Sequence, residues 1–209
     1  MNPLSPIPPI PRWCFVVPVV LILLLTPVDG WIVSSMPEKS DFERGDLLSL
    51  FRVLGYLPTW ILVAVVLWAA RRGTGRSHND SPSWSLVLTP LISGAVSEAL
   101  KPIFRRPDPQ PGSEGSWQRS PLGEAWWDGT DFCFPSGHSA VAFGAALAIC
   151  RRWPGTTPWI LFAATGCAAT RIIERGHYPT DVLASLLIAL IVSQWIEPVI
   201  SARSGNHSN

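Results

Sequence analysis

The chain has 209 residues, of which 16 are Lys or Arg and 15 are Asp or Glu, so its net charge is +1. Only 15% of the residues are charged, against about 25% in an ordinary soluble domain. The charged residues leave six charge-free intervals, which together make up about half the chain: 13–28, 53–70, 81–97, 132–150, 153–170 and 182–196. This pattern excludes a disordered chain, a secreted disulfide scaffold and a charge-driven nucleic-acid binder, and it predicts a polytopic membrane protein.

The apolar intervals are predicted to be helical, because backbone polar groups in lipid must be satisfied within the segment. We predict an all-α fold, with residues 1–209 in a single domain and an amphipathic helix at 39–54 lying at the membrane interface. Six transmembrane helices in one bundle are expected, at about 13–33, 55–71, 83–101, 137–152, 157–174 and 180–200.

The orientation of the helices follows from their number and from the flanking charges. With six passes, loops 102–136 and 171–180 lie on the same membrane face. Arginine pairs at 71–72 and 151–152 directly adjoin helix ends, which favours cytoplasmic termini, although a plain count of Lys and Arg opposes it. We therefore expect a plasma (inner) membrane protein with both loops on the periplasmic or extracellular side.

The cysteines give no sign of a metal site or a redox pair. They are scattered, without a CxxC pair or a metal-ligand spacing to His. Cys133 is the one that falls in a predicted loop, where a reactive role is an alternative to a structural one. We expect the structural role.

The fourth predicted helix begins with the turn Pro135-Ser136-Gly137-His138. Such a turn presents backbone N–H groups at the positive end of the helix dipole, which suits a phosphate group. A His in the first turn could also donate a proton to a departing oxygen. Taken alone, an N-capping Ser followed by an ordinary His explains these residues better.

A second motif joins the last two predicted helices. Pro179 suits the first turn of a helix, so His177 lies just outside that helix and Asp181 just inside it. An Asp so placed could accept from one ring nitrogen and leave the other as a nucleophile. Arg171 has the shape to bind phosphate oxygens. An interfacial Arg, a turn His and a capping Asp explain the segment equally well.

The third predicted helix ends with Glu98 and Lys101, which can pair at i, i+3, and Arg105 and Arg106 follow it. Alone, these residues are typical of side chains snorkelling at a membrane boundary. Three segments on one face, however, together supply Lys, Arg, Ser, Asp and two His residues. Such a set predicts a cationic oxyanion site, where Lys and Arg neutralise a transferring phosphoryl group without a metal.

In these motifs the chain resembles the type 2 phosphatidic acid phosphatases, relatives of glucose-6-phosphatase and the vanadium haloperoxidases. The family pattern is Lys-x6-Arg-Pro, then Pro-Ser-Gly-His, then Ser-Arg-x5-His-x3-Asp. Residues 135–138 match the second element fully, and residues 170–181 match the third, with Thr170 in place of Ser. In the first element Arg106 comes two residues early, and Asp108 stands where a cation is expected. Arg106 therefore takes that role, with Arg105 as the alternative.

The resemblance implies a metal-independent phosphatase without a cofactor. It implies that His177 attacks phosphorus and forms a phosphohistidine, that Asp181 orients His177, and that His138 protonates the leaving group. The residues implied to bind phosphoryl oxygens are Lys101, Arg106, Ser136, Gly137 and Arg171, with Arg105 and Glu98 in support.

A site at the ends of membrane helices predicts a lipid phosphate as the substrate. Membrane lipids are the other expected partners, and no nucleic acid is expected. The candidates are phosphatidic acid, phosphatidylglycerol phosphate and a polyprenyl diphosphate. A phosphotransferase that passes the phosphoryl group to another lipid or glycan is one alternative, and a non-catalytic lipid-binding protein is the other. The loop at 108–134, rich in Gly, Pro, Trp and acidic residues, is predicted to form a partial lid.

Overall fold

The computed structural model describes residues 8–36, 46–72, 82–109, 117, 119–120 and 132–205. Within these ranges the fold is all-α, and an isolated bridge between Pro107 and Phe132 is the one β feature. The helices in chain order are α1 Trp13–Leu25, α2 Asp29–Ser34, α3 Asp46–Val53, α4 Leu57–Arg72, α5 Pro82–Phe104, α6 Gly137–Arg152, α7 Thr157–Ile173 and α8 Pro179–Gly205. The predicted all-α class is thereby confirmed for this part of the chain.

The predicted first helix at 13–33 is interrupted. A 3₁₀ turn, Thr26–Val28, separates α1 from α2. Pro27 lies in this turn and has no N–H to donate to the preceding turn of an α-helix. A second 3₁₀ turn, Pro154–Thr156, precedes α7.

Within the described residues, three helical stretches are long and apolar enough to cross a membrane: Trp13–Ser34, Trp84–Phe104 and Pro179–Ile200. The stretch Leu57–Ala70 is apolar but shorter. The count of six transmembrane helices remains a prediction.

Helix α6 lies at the centre of the bundle, packed against α5, α7 and α8. Residues 139–148 are all buried, and most of them are Ala, Gly or Ser. Small residues allow helices to approach closely. A Cβ on Gly144 would lie 2.8 Å from Ser93 Oγ and 2.9 Å from Pro90 Cα of α5. The long charge-free interval at 132–150 is therefore explained by burial within the protein.

A polar contact links α5 to α8 at the end of the bundle away from the motif residues. Glu197 is 2% exposed. Its Oε2 accepts a hydrogen bond from Ser85 Oγ at 2.9 Å, and its Oε1 accepts one from Thr89 Oγ1 at 2.6 Å. Two hydroxyl groups thus satisfy a buried carboxylate, as burial of a charge requires.

The segment predicted at 39–54 is described from residue 46 onward, where it forms α3; residues 39–45 lie outside the described ranges. Helix α3 packs on α7, and the rings of Phe51 and Phe162 lie 5.9 Å apart. Of the loop at 108–134, residues 110–116, 118 and 121–131 also lie outside those ranges. Its Trp117 packs edge-on against Phe134, with ring centroids 4.8 Å apart.

Candidate active site

The start of α6 offers open backbone donors. Ser136 is the N-cap residue, it is fully buried, and its side chain makes no capping hydrogen bond. Its Oγ accepts instead from Ser139 Oγ at 3.0 Å, and its carbonyl accepts from Ser185 Oγ of α8 at 2.8 Å. The first N–H groups of α6 are therefore not occupied by a side-chain cap, which leaves them available for an anion.

Glu98 and Lys101 lie beside this helix start. A Cβ on residue 137 would overlap Glu98 Oε1, so the carboxylate of Glu98 lies directly against Gly137. Glu98 Oε2 and Lys101 Nζ form an ion pair at 2.8 Å. The pair that the i, i+3 spacing suggests is therefore present, and it directs the ammonium group of Lys101 toward the N-terminus of α6.

The imidazole of His138 is fixed from the junction of α3 and α4. The ring of Tyr56 packs edge-on against it, with centroids 4.8 Å apart. A Cβ on Gly55 would lie 2.8 Å from His138 Cβ. His138 Nε2 is buried and has no hydrogen-bond partner within the described ranges. The ring is therefore held in place with one nitrogen left for a ligand.

A cavity of about 300 Å³ opens beside His138. Its lining includes Glu98, Gly137 and His138. The remaining wall is mostly apolar and is contributed by Gly55, Tyr56, Leu57, Pro90, Leu91, Gly94, Ala95 and Val141. The cavity therefore connects the start of α6 with the space between α4 and α5.

His177 is 7% exposed and is held by a backbone carbonyl. Its Nδ1 lies 2.7 Å from the carbonyl oxygen of Cys133 and 3.7 Å from Asp181 Oδ2. Because a carbonyl can only accept, this contact assigns the proton of the neutral ring to Nδ1 and leaves Nε2 unprotonated. The sequence indicated Asp181 as the group that accepts from His177; in the structure the nearer acceptor is the Cys133 carbonyl.

The Cys133 side chain is buried. Its Sγ donates to the carbonyl oxygen of Pro107 at 3.1 Å. Burial, followed by the charge of Asp181, raises the pKa of the Cys133 thiol far above its ordinary value. The thiol therefore stays protonated, in agreement with a structural role for this residue.

Asp181 lies in a fully buried network at the start of α8. Its Oδ2 accepts from the backbone N–H of Tyr178 at 2.8 Å, an interaction of the capping-box type. Its Oδ1 accepts from Arg106 Nη1 at 2.5 Å. Arg106 also donates to Thr180 Oγ1 and to Asp29 Oδ2, both at 2.8 Å, and its guanidinium lies 3.8 Å from the centroid of the Tyr178 ring. Most donors of Arg106 are therefore used inside the protein.

Arg105 presents more open donors than Arg106. It adopts a left-handed conformation with φ of 51°, and it is 8% exposed. Its Nε and Nη1 atoms are buried and lack partners in the part of the chain that the structure describes. Arg106, in contrast, lacks a partner only at Nε there. Buried cations with open donors suit a phosphate ligand.

Arg171 is anchored by a carboxylate that the sequence reasoning did not assign. Its Nη1 donates to Glu174 Oε2 at 2.6 Å, and Glu174 Oε1 also accepts from Arg52 Nη1 of α3 at 3.3 Å. His138 lies near enough to four basic side chains to interact with them electrostatically: Arg171, His177, Arg52 and Lys101. The structure thus gathers the predicted Lys101, His138, Arg171 and His177 at one end of the bundle.

Three further contributors were missed: Asp29, Arg52 and the Cys133 carbonyl. An acidic residue that closes an apolar interval is a signal that could have directed attention to Asp29. Arg52 belongs to the amphipathic helix predicted at 39–54, to which no part in the site was assigned. A backbone carbonyl leaves no trace in the sequence. Among the described residues no group of three or more His, Cys, Asp or Glu side chains is placed to hold a metal ion.

Comparison with known proteins identifies the family. A model of the PAP2 superfamily matches residues 82–204, more than half of the chain. Phosphatidylglycerophosphatase B from Escherichia coli (strain K12), Escherichia coli O157:H7 and Shigella flexneri is in each case 34% identical over 79 residues, covering 34% of this chain and 31% of the relative. The chain thus matches about a third of the length of these relatives. No solved structure matches. The family match includes all three motifs, and the predicted family is confirmed: the chain belongs to the PAP2 superfamily.

Proposed function

We propose that the protein is an integral membrane phosphatase that hydrolyses a lipid phosphate or lipid diphosphate through a phosphohistidine intermediate. The observation that carries this proposal is the 2.7 Å contact between His177 Nδ1 and the Cys133 carbonyl, which leaves Nε2 as a nucleophile among cations. Membership of the PAP2 superfamily and the similarity to phosphatidylglycerophosphatase B support it.

In the first step His177 Nε2 forms a bond to phosphorus as the bond from phosphorus to the leaving oxygen breaks. His138 Nε2 donates its proton to that oxygen, so the products are phosphohistidine and a lipid alcohol, or a lipid monophosphate from a diphosphate. Lys101 and Arg171 neutralise the phosphoryl oxygens, together with Arg105 or Arg106. Ser136 and the Gly137 N–H complete the set of donors.

In the second step water replaces the histidine. His138, now neutral, takes a proton from water as the water oxygen bonds to phosphorus and the bond from phosphorus to Nε2 breaks. Inorganic phosphate leaves, and His177 returns to its starting state. Asp181 supports the positive charge that develops on His177 from 3.7 Å away.

The apolar part of the substrate is assigned to the cavity beside His138. The cavity is lined by His138, the residue that protonates the leaving group, and by the apolar residues Leu91, Ala95 and Val141. A lipid chain of a membrane substrate would enter between α4 and α5. We place the site on the periplasmic or extracellular side of the plasma (inner) membrane, with six transmembrane helices and cytoplasmic termini.

The proposal is tested with the full chain in detergent, incubated with phosphatidic acid, phosphatidylglycerol phosphate and a polyprenyl diphosphate in the presence of EDTA. Phosphate release is expected from at least one of them. His177→Ala should abolish release and the acid-labile phosphoprotein, whereas His207→Ala, outside the matched range, should retain both.

The other outcomes separate the alternatives. Transfer of the phosphoryl group to an added lipid or glycan, without release to water, would identify a phosphotransferase. Lipid binding without turnover would identify a non-catalytic protein. Undiminished turnover in His177→Ala would contradict the choice of nucleophile.

A further inference from the structure

Asp29, on the N-terminal side of the family-matched range, lies at the centre of the network behind His177. We propose that Asp29 is a positioning residue for the phosphatase reaction, acting through Arg106 and the start of α8. This inference rests on the proposed function. Asp29 lies outside the range 82–204 that the family model matches, so membership of the family assigns it no role.

Both carboxylate oxygens of Asp29 are used. Oδ2 accepts from Arg106 Nη2 at 2.8 Å and from Thr180 Oγ1. Oδ1 accepts from the backbone N–H of Thr180 at 3.2 Å. That N–H belongs to the first turn of α8, where helical partners are missing. Asp29 therefore fixes a guanidinium group and a helix start at the same time.

Asp29 and the two charged side chains of its network are shielded from solvent, so water cannot replace the ion pair between Asp29 and Arg106. The side chain of Arg106 is 1% exposed, and those of Asp29 and Asp181 are fully buried. A buried ion must be paired within the protein. One guanidinium group therefore serves two carboxylates, and the plane of that group is set by both. Loss of the Asp29 charge would allow Arg106 to reorient toward Asp181 alone.

Arg106 reaches His177 by two routes. Its backbone carbonyl accepts from the N–H of Cys133 at 2.9 Å, and the carbonyl of Cys133 holds His177 Nδ1. Its side chain holds Asp181, which accepts from the N–H of Tyr178, the residue next to His177. A movement of Arg106 would therefore affect the contact between His177 Nδ1 and the Cys133 carbonyl, and also the backbone at Tyr178 next to His177.

The N-terminal segment also holds the other side of the His177 loop. Arg175 Nε donates to the carbonyl of Met36 at 3.1 Å, just beyond α2. Asp29 binds Thr180, on the far side of His177. The loop 175–180 is thus held at both ends by the N-terminal segment 29–36, and this restrains the position of His177 within the loop.

The test compares Asp29→Asn, Arg106→Leu and the double variant, all in the full chain in detergent. Asp29→Asn should lower kcat by tenfold or more and leave KM within threefold, since Asp29 does not touch the substrate. Arg106→Leu leaves two buried carboxylates without a cation. The double variant should therefore turn over faster than Arg106→Leu alone, whereas independent structural effects would make it slower.

Glu197→Gln is the matched control, because it removes another buried carboxylate at the far end of the bundle. It should lower the unfolding temperature without changing the kcat of the folded protein. A wild-type kcat in Asp29→Asn, or a double variant no faster than Arg106→Leu, would overturn the inference. All kcat values are compared per amount of folded protein, so a loss of folded material is not counted as a loss of turnover.

A readout independent of turnover separates this inference from the proposed function. In ¹⁵N spectra of the four imidazoles, with His177 assigned by His177→Ala, the wild type should show the Nδ1–H tautomer at His177. Asp29→Asn should reduce the share of that tautomer, and Glu197→Gln should not. An unchanged tautomer in Asp29→Asn refutes the positioning role, whether or not the wild type releases phosphate.

Discussion

Replacement of Arg105 should affect activity and stability in opposite directions. The guanidinium is buried, with Nε and Nη1 lacking partners in the described part of the chain. A buried cation without partners destabilises the free protein. The same open donors favour a bound phosphate, because hydrogen bonds between ions are strong.

The magnitudes follow from the two open nitrogen atoms. Two charge-assisted hydrogen bonds contribute about 1.5–3 kcal/mol each, so Arg105→Met should lower kcat/KM by about 10²- to 10⁴-fold. The free energy of unfolding should stay constant or rise by about 1 kcal/mol as an unpaired charge is removed.

The assay measures phosphate release from phosphatidic acid in detergent micelles, and thermal unfolding followed by tryptophan fluorescence. Arg119→Gln is the control, because Arg119 is exposed and donates to the carbonyl of Ile103 at 2.7 Å. Arg105→Lys keeps the charge and should retain more activity than Arg105→Met. The reasoning is refuted if Arg105→Met keeps kcat/KM within threefold, or if it is destabilised by more than about 1 kcal/mol.

Other contacts give predictions of the same kind. Because burial raises the pKa of the Cys133 thiol, iodoacetamide at pH 8 should leave Cys133 unmodified in the folded protein. Mass spectrometry measures the modification, and a rate equal to that in the unfolded protein would contradict the prediction. Gly144→Ala should lower the free energy of unfolding by about 1–3 kcal/mol, because the added Cβ would contact α5. Gly155→Ala is the control, since a Cβ on residue 155 has open space around it. Equal unfolding temperatures for the two variants would refute the packing argument. Glu174→Gln should lower kcat/KM by about tenfold as Arg171 loses a charge-assisted bond, and unchanged kinetics would show that Arg171 needs no anchor.

The helices were predictable because charges and turn residues mark their ends. The prediction of 137–152 coincides with α6, Gly137–Arg152, where a Pro-Ser-Gly turn stands at one end and an Arg pair at the other. The break at Thr26–Val28 was not predicted, because Pro27 lies within the charge-free interval 13–28. The hydropathy pattern predicts the length of an apolar segment. It does not show where a single helical turn is interrupted, as it is at Pro27, which has no backbone N–H.

The site was predictable where its residues lie in short motifs. His138 and His177 come to the same end of the bundle, as alternating helix directions require. Asp29 could not be assigned from the sequence, because its partner Arg106 is 77 residues away in the chain. The Cys133 carbonyl could not be assigned either, since every residue carries one.

The contact between Glu197 and α5 also bears on how the chain is assembled in a membrane. Ser85 and Thr89 are synthesised more than a hundred residues before Glu197. When α8 leaves the ribosome, Glu197 follows the charge-free interval 182–196, and entry of its carboxylate into lipid without a partner would be costly. Docking of α8 against α5 supplies that partner. We therefore expect the last helix to enter the bilayer together with a helix already in place, and the start of α8, with His177 just before it, to be positioned late in biogenesis.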